Sequence, residues 1–403
     1  MAGTGKLQPL AVPHANCNRP MNRCILHIGM PKTGTSSIQE SLYFGLRDPR
    51  FHYFSNGEVS GARLLLTQYT EREIPIFFWG ARGRDAAFVE RQRQSYRRKW
   101  EQCLQRVRGT GATLIISGES CWRMLESELR RLQSDFESHG FQIQVVAYVR
   151  PWKGILESGF QQQAKHSCIF GKSDNWDMLS VARFPLDYQQ RIETLDRVFG
   201  RDQVLVRKFD PGIFPQGCVV RDFCDQLGIT LDAASIRRVN ESLSMDAVRF
   251  LAAYGRYGNR EGTNGVWRYW LHNWLVERLG RMSGPRLRLH SSLAESLLDG
   301  LLAQVPWLEE RLGALFAQDW RKDDGGDCIR GSEDLFRFRE ESLHWLAEQT
   351  GGGLPAVSQG VEAARHVGPL IHRLRYRPPE WAMVTKGASK QLNRVWTKLV
   401  KGR

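Results

Sequence analysis

The chain has 403 residues, of which 41% are hydrophobic and 25% charged, a balance that excludes global disorder and is large enough for an extensive core with an appended region. Its 57 Lys and Arg against 43 Asp and Glu leave a net charge of +14, which favours anionic partners: a phosphorylated cofactor, an acidic polysaccharide, nucleic acid or an anionic membrane surface. No apolar run reaches the length of a membrane span and the first twenty residues hold no apolar core of a signal peptide, so a cytoplasmic location is expected. The eight cysteines, at 17, 24, 103, 121, 168, 218, 224 and 328, form no CxxC pair and no zinc-ligand spacing; reduced thiols and no metal are expected.

Residues 1–20 read as a flexible tail. Arg23-Cys24-Ile25-Leu26-His27-Ile28 predicts a short apolar strand, Gly29 to Thr35 a turn, and Ile38 with Leu42 one face of a helix starting near Ser36. Residues 50–90 carry no clear pattern. A charged amphipathic helix is expected over Phe88–Val107, then a strand over Ala112–Ser117 ending at Gly118-Glu119-Ser120, and a helix over 124–138. A third strand, Ile143–Val149, stops at Arg150-Pro151, with a helix following to about Lys165. A fourth strand, Gln203–Arg207, leads to a helix near 217–227. Strand and helix alternate four times, which implies α/β: a mostly parallel central sheet flanked by helices, with sites at the carboxyl ends of its strands. From about 235 onward the pattern is helical, Trp267, Trp270 and Trp274 reading as a core stripe, and 349–360 as a linker. The domain plan is therefore a tail at 1–20, a core at 21–232, a helical region at 233–348 completing the domain, and a linker with a basic C-terminal helix at 349–403.

The run Leu26-His27-Ile28-Gly29-Met30-Pro31-Lys32-Thr33-Gly34-Thr35-Ser36-Ser37-Ile38-Gln39 carries the most chemistry. A strand enters a glycine-bearing turn and leaves it as a helix, so backbone N–H groups and a helix N-terminus face one point, an arrangement suited to an anion. Lys32 adds a point charge; Thr33, Thr35, Ser36 and Ser37 add hydroxyl donors. Gly29 and Gly34 stand five apart, as in the nucleotide-triphosphate loop G-x-x-x-x-G-K-[ST], but Thr35 follows Gly34 where that loop has lysine. A P-loop nucleotide kinase or NTPase is therefore the alternative rather than the first choice.

Pro31-Lys32-Thr33-Gly34-Thr35-Ser36-Ser37 resembles the 5′-phosphosulfate-binding loop of sulfotransferases that use 3′-phosphoadenosine-5′-phosphosulfate (PAPS). In that family an arginine at the end of a later strand and a serine eight residues on hold the 3′-phosphate. Arg150 after Val149, with Ser158 eight residues later, matches that pattern. The resemblance spans roughly residues 22–230 and looks closest to bacterial members. It implies a P-loop-like fold, PAPS as co-substrate without a metal, and Lys32 stabilising the leaving phosphate. Arg321-Lys322-Asp323-Asp324-Gly325-Gly326-Asp327-Cys328 departs from the family's late cofactor-closing loop, lacking its first glycine and its tryptophan, and reads as a charged loop.

Sulfonyl transfer needs a base for the acceptor hydroxyl. Glu119, ending the second expected strand, is the first candidate, set against a capping or ion-paired carboxylate; His27, two residues before Gly29, is the second, set against a packed strand histidine. The polar run Gln161-Gln162-Gln163-Ala164-Lys165 beyond Ser158 suits a carbohydrate or glycolipid acceptor. In 361–403, ten Lys and Arg stand against two acids, and Leu392, Val395, Trp396 and Leu399 share a helical face; contact with an anionic membrane is weighed there against a basic helix packed on the body. No helix-turn-helix, zinc-finger or RNP-like pattern points to nucleic acid, and none is expected as a partner.

Overall fold

Strand β1 (Asn22–His27) runs through the middle of a five-stranded parallel sheet of order β2-β3-β1-β4-β5. Its Cys24, Ile25 and Leu26 are wholly buried, as a parallel strand covered on both faces requires. The computed structural model describes residues 21–70, 85–165, 186–239, 242–258, 266–316, 321 and 324–376. The remaining elements of the sheet are β2 (Phe51–Tyr53), β3 (Thr113–Ser117), β4 (Phe141–Val149) and β5 (Val204–Lys208). Register is set by Cys24 opposite Leu114 on one side and Ile143 on the other.

Each connection is helical, as parallel pairing demands. In chain order these are α1 (Thr35–Gly45), α2 (Ala62–Tyr69), α3 (Ala86–Arg108), α4 (Glu126–Ser138), α5 (Trp152–Lys165) and α6 (Tyr188–Phe199), and α7 (Val219–Leu227) follows β5. The fold is α/β, as the alternation implied. All four expected strands shift by a residue or two at an end, which is ordinary for element ends. The larger difference is at 50–90, where β2 and α2 appear in a stretch without clear pattern. β2 is only three residues long, half-buried and hydrogen-bonded to β3 alone, so it leaves little periodic signal.

On one face of the sheet Ile25 and Tyr148 pack with Ile38 and Leu42 of α1 and with Val220 and Phe223 of α7. Asp222 straps α7 to the sheet: it is 3% exposed, accepts the Tyr148 hydroxyl at 2.7 Å, and pairs with Arg207 through bonds of 2.9 and 2.6 Å. Elsewhere Trp100 meets Phe54 edge to face with ring centroids 5.1 Å apart and lies tilted against Phe136 at 4.7 Å.

The chain folds into two compact units that interleave in sequence. The sheet unit takes in described residues of Met1–Ile155, Phe184–Asn240 and Leu297–Gln318; the second takes those of Leu156–Arg183, Glu241–Ser296 and Asp319–Arg403. The second unit holds no named strand among the described residues, only isolated bridges such as Leu289 with Ile329. Its helix Met245–Tyr257 is buried almost throughout and packs on the helix Gly360–Tyr376. There Arg249, 1% exposed, forks onto Asp327 at 3.0 and 2.7 Å and donates to the Asp334 carbonyl.

Candidate functional site

The site grows from the carboxyl end of β1. Past His27 the chain continues along the sheet, Ile28 N–H donating to the Val146 carbonyl and Met30 N–H to the Tyr148 carbonyl. It then turns sharply: Lys32 sits at φ 70° and Gly34 at φ 77°. A left-handed conformation costs a residue with a side chain about 1–2 kcal/mol, and such strain collects where a backbone must cup a ligand. At Gly34 a side chain is also excluded by space, since a Cβ would lie 2.6 Å from Val219 Cγ1.

Gly34 opens α1, whose first internal bond runs from Ile38 N–H to the Gly34 carbonyl. The N–H groups of Thr35, Ser36 and Ser37 therefore have no partner within the helix, and no acidic side chain occupies its first turn. The hydroxyls divide by use. Thr33, fully buried, donates to the Met30 carbonyl at 2.5 Å and so braces the turn. Ser37 accepts from Val239 N–H at 3.1 Å and retains its own proton. Ser36 is half-buried, and Pro31 is buried. Thr35 Oγ1 is buried and without a hydrogen-bond partner among the described residues. These groups fit an anion: free N–H donors, an orphaned hydroxyl, and a left-handed turn beside a lysine.

Arg150 reaches the same turn from the end of β4. Its Nη1 donates to the Lys32 carbonyl at 3.1 Å, and its guanidinium lies over the Phe209 ring, 5.4 Å from the centroid. Tyr188 steadies the Arg150 carbonyl with a bond of 2.8 Å. Gly154 leaves room for this pose, because a Cβ there would stand 2.7 Å from Arg150 Nε. Ser158 lies on α5, half-buried, and belongs to the second unit, whereas Arg150 belongs to the sheet unit.

Glu119 begins a short 3-10 turn, Glu119–Arg123, directly after β3. Burial pushes its carboxyl pKa up, while the positive charges of Lys32 and then Arg123 pull it down; the net shift is upward. The charge of Lys32, past the carboxyl end of β1, thus bears on Glu119, past that of the neighbouring β3. His27 is different. It has no exposed surface, burial drives its pKa down to about 3, and its Nδ1 is 2.8 Å from Ser117 Oγ.

Sequence reasoning missed Arg123 and Phe209. The available signal was position alone: Phe209 follows directly on β5 and Arg123 closes the 3-10 turn after β3, both beyond the carboxyl ends of parallel strands, where open α/β sheets place their ligands. Gln161 is 8% exposed and its Oε1 accepts from Leu243 N–H at 3.1 Å, so that oxygen is committed to the backbone. Leu392, Val395, Trp396 and Leu399 lie outside the described residues, as do residues 1–20, Lys322 and Asp323. Among the described residues no cluster of His, Cys, Asp and Glu could hold a metal ion, and no helix is long and apolar enough to cross a membrane.

No family model matches the chain. An uncharacterised protein of Archaeoglobus fulgidus is 27% identical over 184 residues, which is 46% of this chain and 48% of that protein. The chain thus spans about half the length of the curated relative it matches. Two solved structures overlap it: a domain of the Synechococcus PCC 7002 olefin synthase and a domain from the curacin biosynthetic pathway. Both are sulfotransferase domains. The first is 16% identical, covers 56% of this chain and 80% of its own, and superposes with a TM-score of 0.29. The second is 14% identical, covers 70% and 98%, and has a TM-score of 0.33. Superpositions this loose leave the chemistry to be judged from the site itself.

Proposed function

We propose that the chain is a sulfotransferase that binds PAPS at the β1 turn and moves its sulfonyl group to an acceptor hydroxyl. The observation that carries this is the meeting of Lys32, Arg150 and Glu119 at one sheet edge, with Arg150 bonded to the Lys32 carbonyl and Glu119 under the field of Lys32. Two cations and a half-buried carboxylate around a cradle of free N–H groups match what sulfonyl transfer asks of a protein: in-line positioning, charge stabilisation and a base.

PAPS, when bound, supplies the sulfonyl group on a phosphate leaving group. The turn Pro31-Lys32-Thr33-Gly34-Thr35-Ser36-Ser37 would hold the 5′ end, with Lys32 offsetting negative charge on the departing oxygen. Arg150, with its planar fork, is suited to the 3′-phosphate. Glu119 takes the acceptor proton, and burial keeps its pKa nearer the working range of a general base. The excess of positive charge supports an anionic or polyhydroxylated acceptor, and a carbohydrate or glycolipid is proposed. Contact of residues 361–403 with an anionic membrane is a separate proposal; full-length chain that ignores anionic liposomes would remove it.

The deciding experiment is thermal stabilisation by adenosine 3′,5′-bisphosphate beside AMP and ATP·Mg²⁺. At a hundredfold excess over the dissociation constant, a ligand of the folded state adds about 2.7 kcal/mol. Stabilisation by the bisphosphate but not AMP, lost in Arg150→Ala, supports the proposal. Stabilisation by ATP·Mg²⁺ alone, or by nothing, removes it.

A further inference from the structure

Behind the turn lies a line of polar side chains that the proposed transfer leaves unused. His27 is wholly buried between the Phe223 and Tyr148 rings, whose centroids are 5.1 and 6.3 Å from its own. Its Nδ1 meets Ser117 Oγ at 2.8 Å. Gln39, from α1, places Nε2 3.1 Å from Ser117 Oγ, 3.3 Å from the Ser117 carbonyl oxygen and 3.2 Å from Ser60 Oγ. A carbonyl oxygen only accepts, so the amide end facing Ser117 must be the NH₂. Ser117 Oγ therefore accepts from Gln39 and has one proton to give. Two acceptors are near: His27 Nδ1, and the Tyr53 hydroxyl, which spends its own proton on the Val59 carbonyl.

On the far side of the imidazole, Nε2 has no hydrogen-bond partner among the described residues, and neither has Thr35 Oγ1. Both face the same side of Gly29. A Cβ on Gly29 would lie 2.7 Å from His27 Nε2 and 2.8 Å from Thr35 Oγ1, so the two atoms are no further apart than those lengths laid end to end. An unpaired buried donor or acceptor is costly, so two orphans this near each other call for a purpose.

We propose that His27 is a positioning residue for the phosphate turn: Ser117 gives its proton to Nδ1, and Nε2–H donates to Thr35 Oγ1 when an anion occupies the turn, releasing the Thr35 proton to that anion. Each link then donates in one direction, from Gln39 through Ser117 and His27 to Thr35. The opposite tautomer would make Nε2 an acceptor, draw the Thr35 proton inward and turn an oxygen lone pair towards the anion. Because burial keeps the ring neutral, a single proton decides between these two states. With no surface exposed, His27 acts on the ligand through Thr35 and has no route to an acceptor hydroxyl. The identity of the anion, the 5′-phosphate of PAPS, rests on the sulfotransferase proposal; the direction of the relay does not.

The test is ¹⁵N NMR on the full chain labelled at histidine, first alone and then saturated with adenosine 3′,5′-bisphosphate, with binding followed by calorimetry. The expected result is a ring proton on Nε2 in the free protein, and an Nε2 signal that moves at saturation in the wild type but not in Thr35→Val. Bisphosphate affinity should fall about tenfold in His27→Phe, while the His27→Phe, Thr35→Val double variant binds no more weakly than Thr35→Val alone. A proton on Nδ1, or an Nε2 signal unmoved at saturation, overturns the relay and leaves the sulfotransferase assignment standing. If calorimetry shows no bisphosphate binding, that assignment falls, and the tautomer alone still decides the relay. If His27→Phe fails to fold, the spectra of the unsubstituted chain and of Thr35→Val carry the test.

Discussion

Glu119 sits half-buried at the start of the turn after β3, its pKa raised by burial against the pull of Lys32 and Arg123. In the transfer proposed here, Glu119→Gln lowers turnover about 100-fold or more and leaves bisphosphate affinity unchanged; near-normal turnover would take the base role from Glu119. The same carboxyl has a consequence for stability. Below its ordinary pKa of 4.5 both folded and unfolded chains carry the proton and burial costs nothing. As pH rises through the higher folded value, the folded chain must hold a charge in a poorly solvated place, and stability is lost. Glu119→Gln is therefore expected to melt above the wild type at neutral pH, with the difference fading as pH falls towards 4.5. Calorimetric melting at several pH values checks this, and equal melting at neutral pH would refute it. Gly34→Ala joins a left-handed backbone to a clash with Val219, and should cost about 1–2 kcal/mol from the backbone alone. Loss of bisphosphate binding should accompany the lower melting temperature.

At the scale of elements, α7 is the wall against which the turn is formed, since Val219 fills the space that a Gly34 side chain would need. Asp222 holds α7 to β4 and β5 through Tyr148 and Arg207. Asp222→Ala leaves a largely buried guanidinium and a buried hydroxyl without their acceptor, and a loss of about 2–4 kcal/mol is expected in urea unfolding. A loss below 0.5 kcal/mol would show that the strap is ornamental. The turn itself was legible in the sequence because its motif lies within nine residues: a glycine at each end, a lysine between them, hydroxyls at a helix start. Arg150 was legible because a strand pattern stops at an Arg-Pro pair. The relay behind the turn was not. Ser117 is 90 positions from His27, and only parallel pairing of β1 with β3 sets them opposite each other. β2 escaped notice for a related reason, as three half-buried residues at a sheet edge carry almost no alternation.

Over the whole molecule, the charge of +14 should act on association more than on the chemical step. If the acceptor is anionic, kcat/KM should fall steeply between low and physiological salt while kcat holds, and a neutral analogue should show no such slope. A salt-independent kcat/KM for the anionic acceptor would refute electrostatic capture. In the second unit, Arg249 is almost without solvent and depends on Asp327; Asp327→Ala should cost about 3 kcal/mol through the stranded cation. The two bonds tie Asp327 into the internal support of the unit. The bond between Ser37 Oγ and Val239 N–H joins residues 202 positions apart. At about 5–20 residues per second of synthesis, the turn after β1 waits roughly 10–40 seconds on the ribosome before that partner exists. For most of that interval β1 is an apolar strand whose covering helix α7 has yet to be made, so the nascent chain, more than the finished protein, is where chaperones have most to protect.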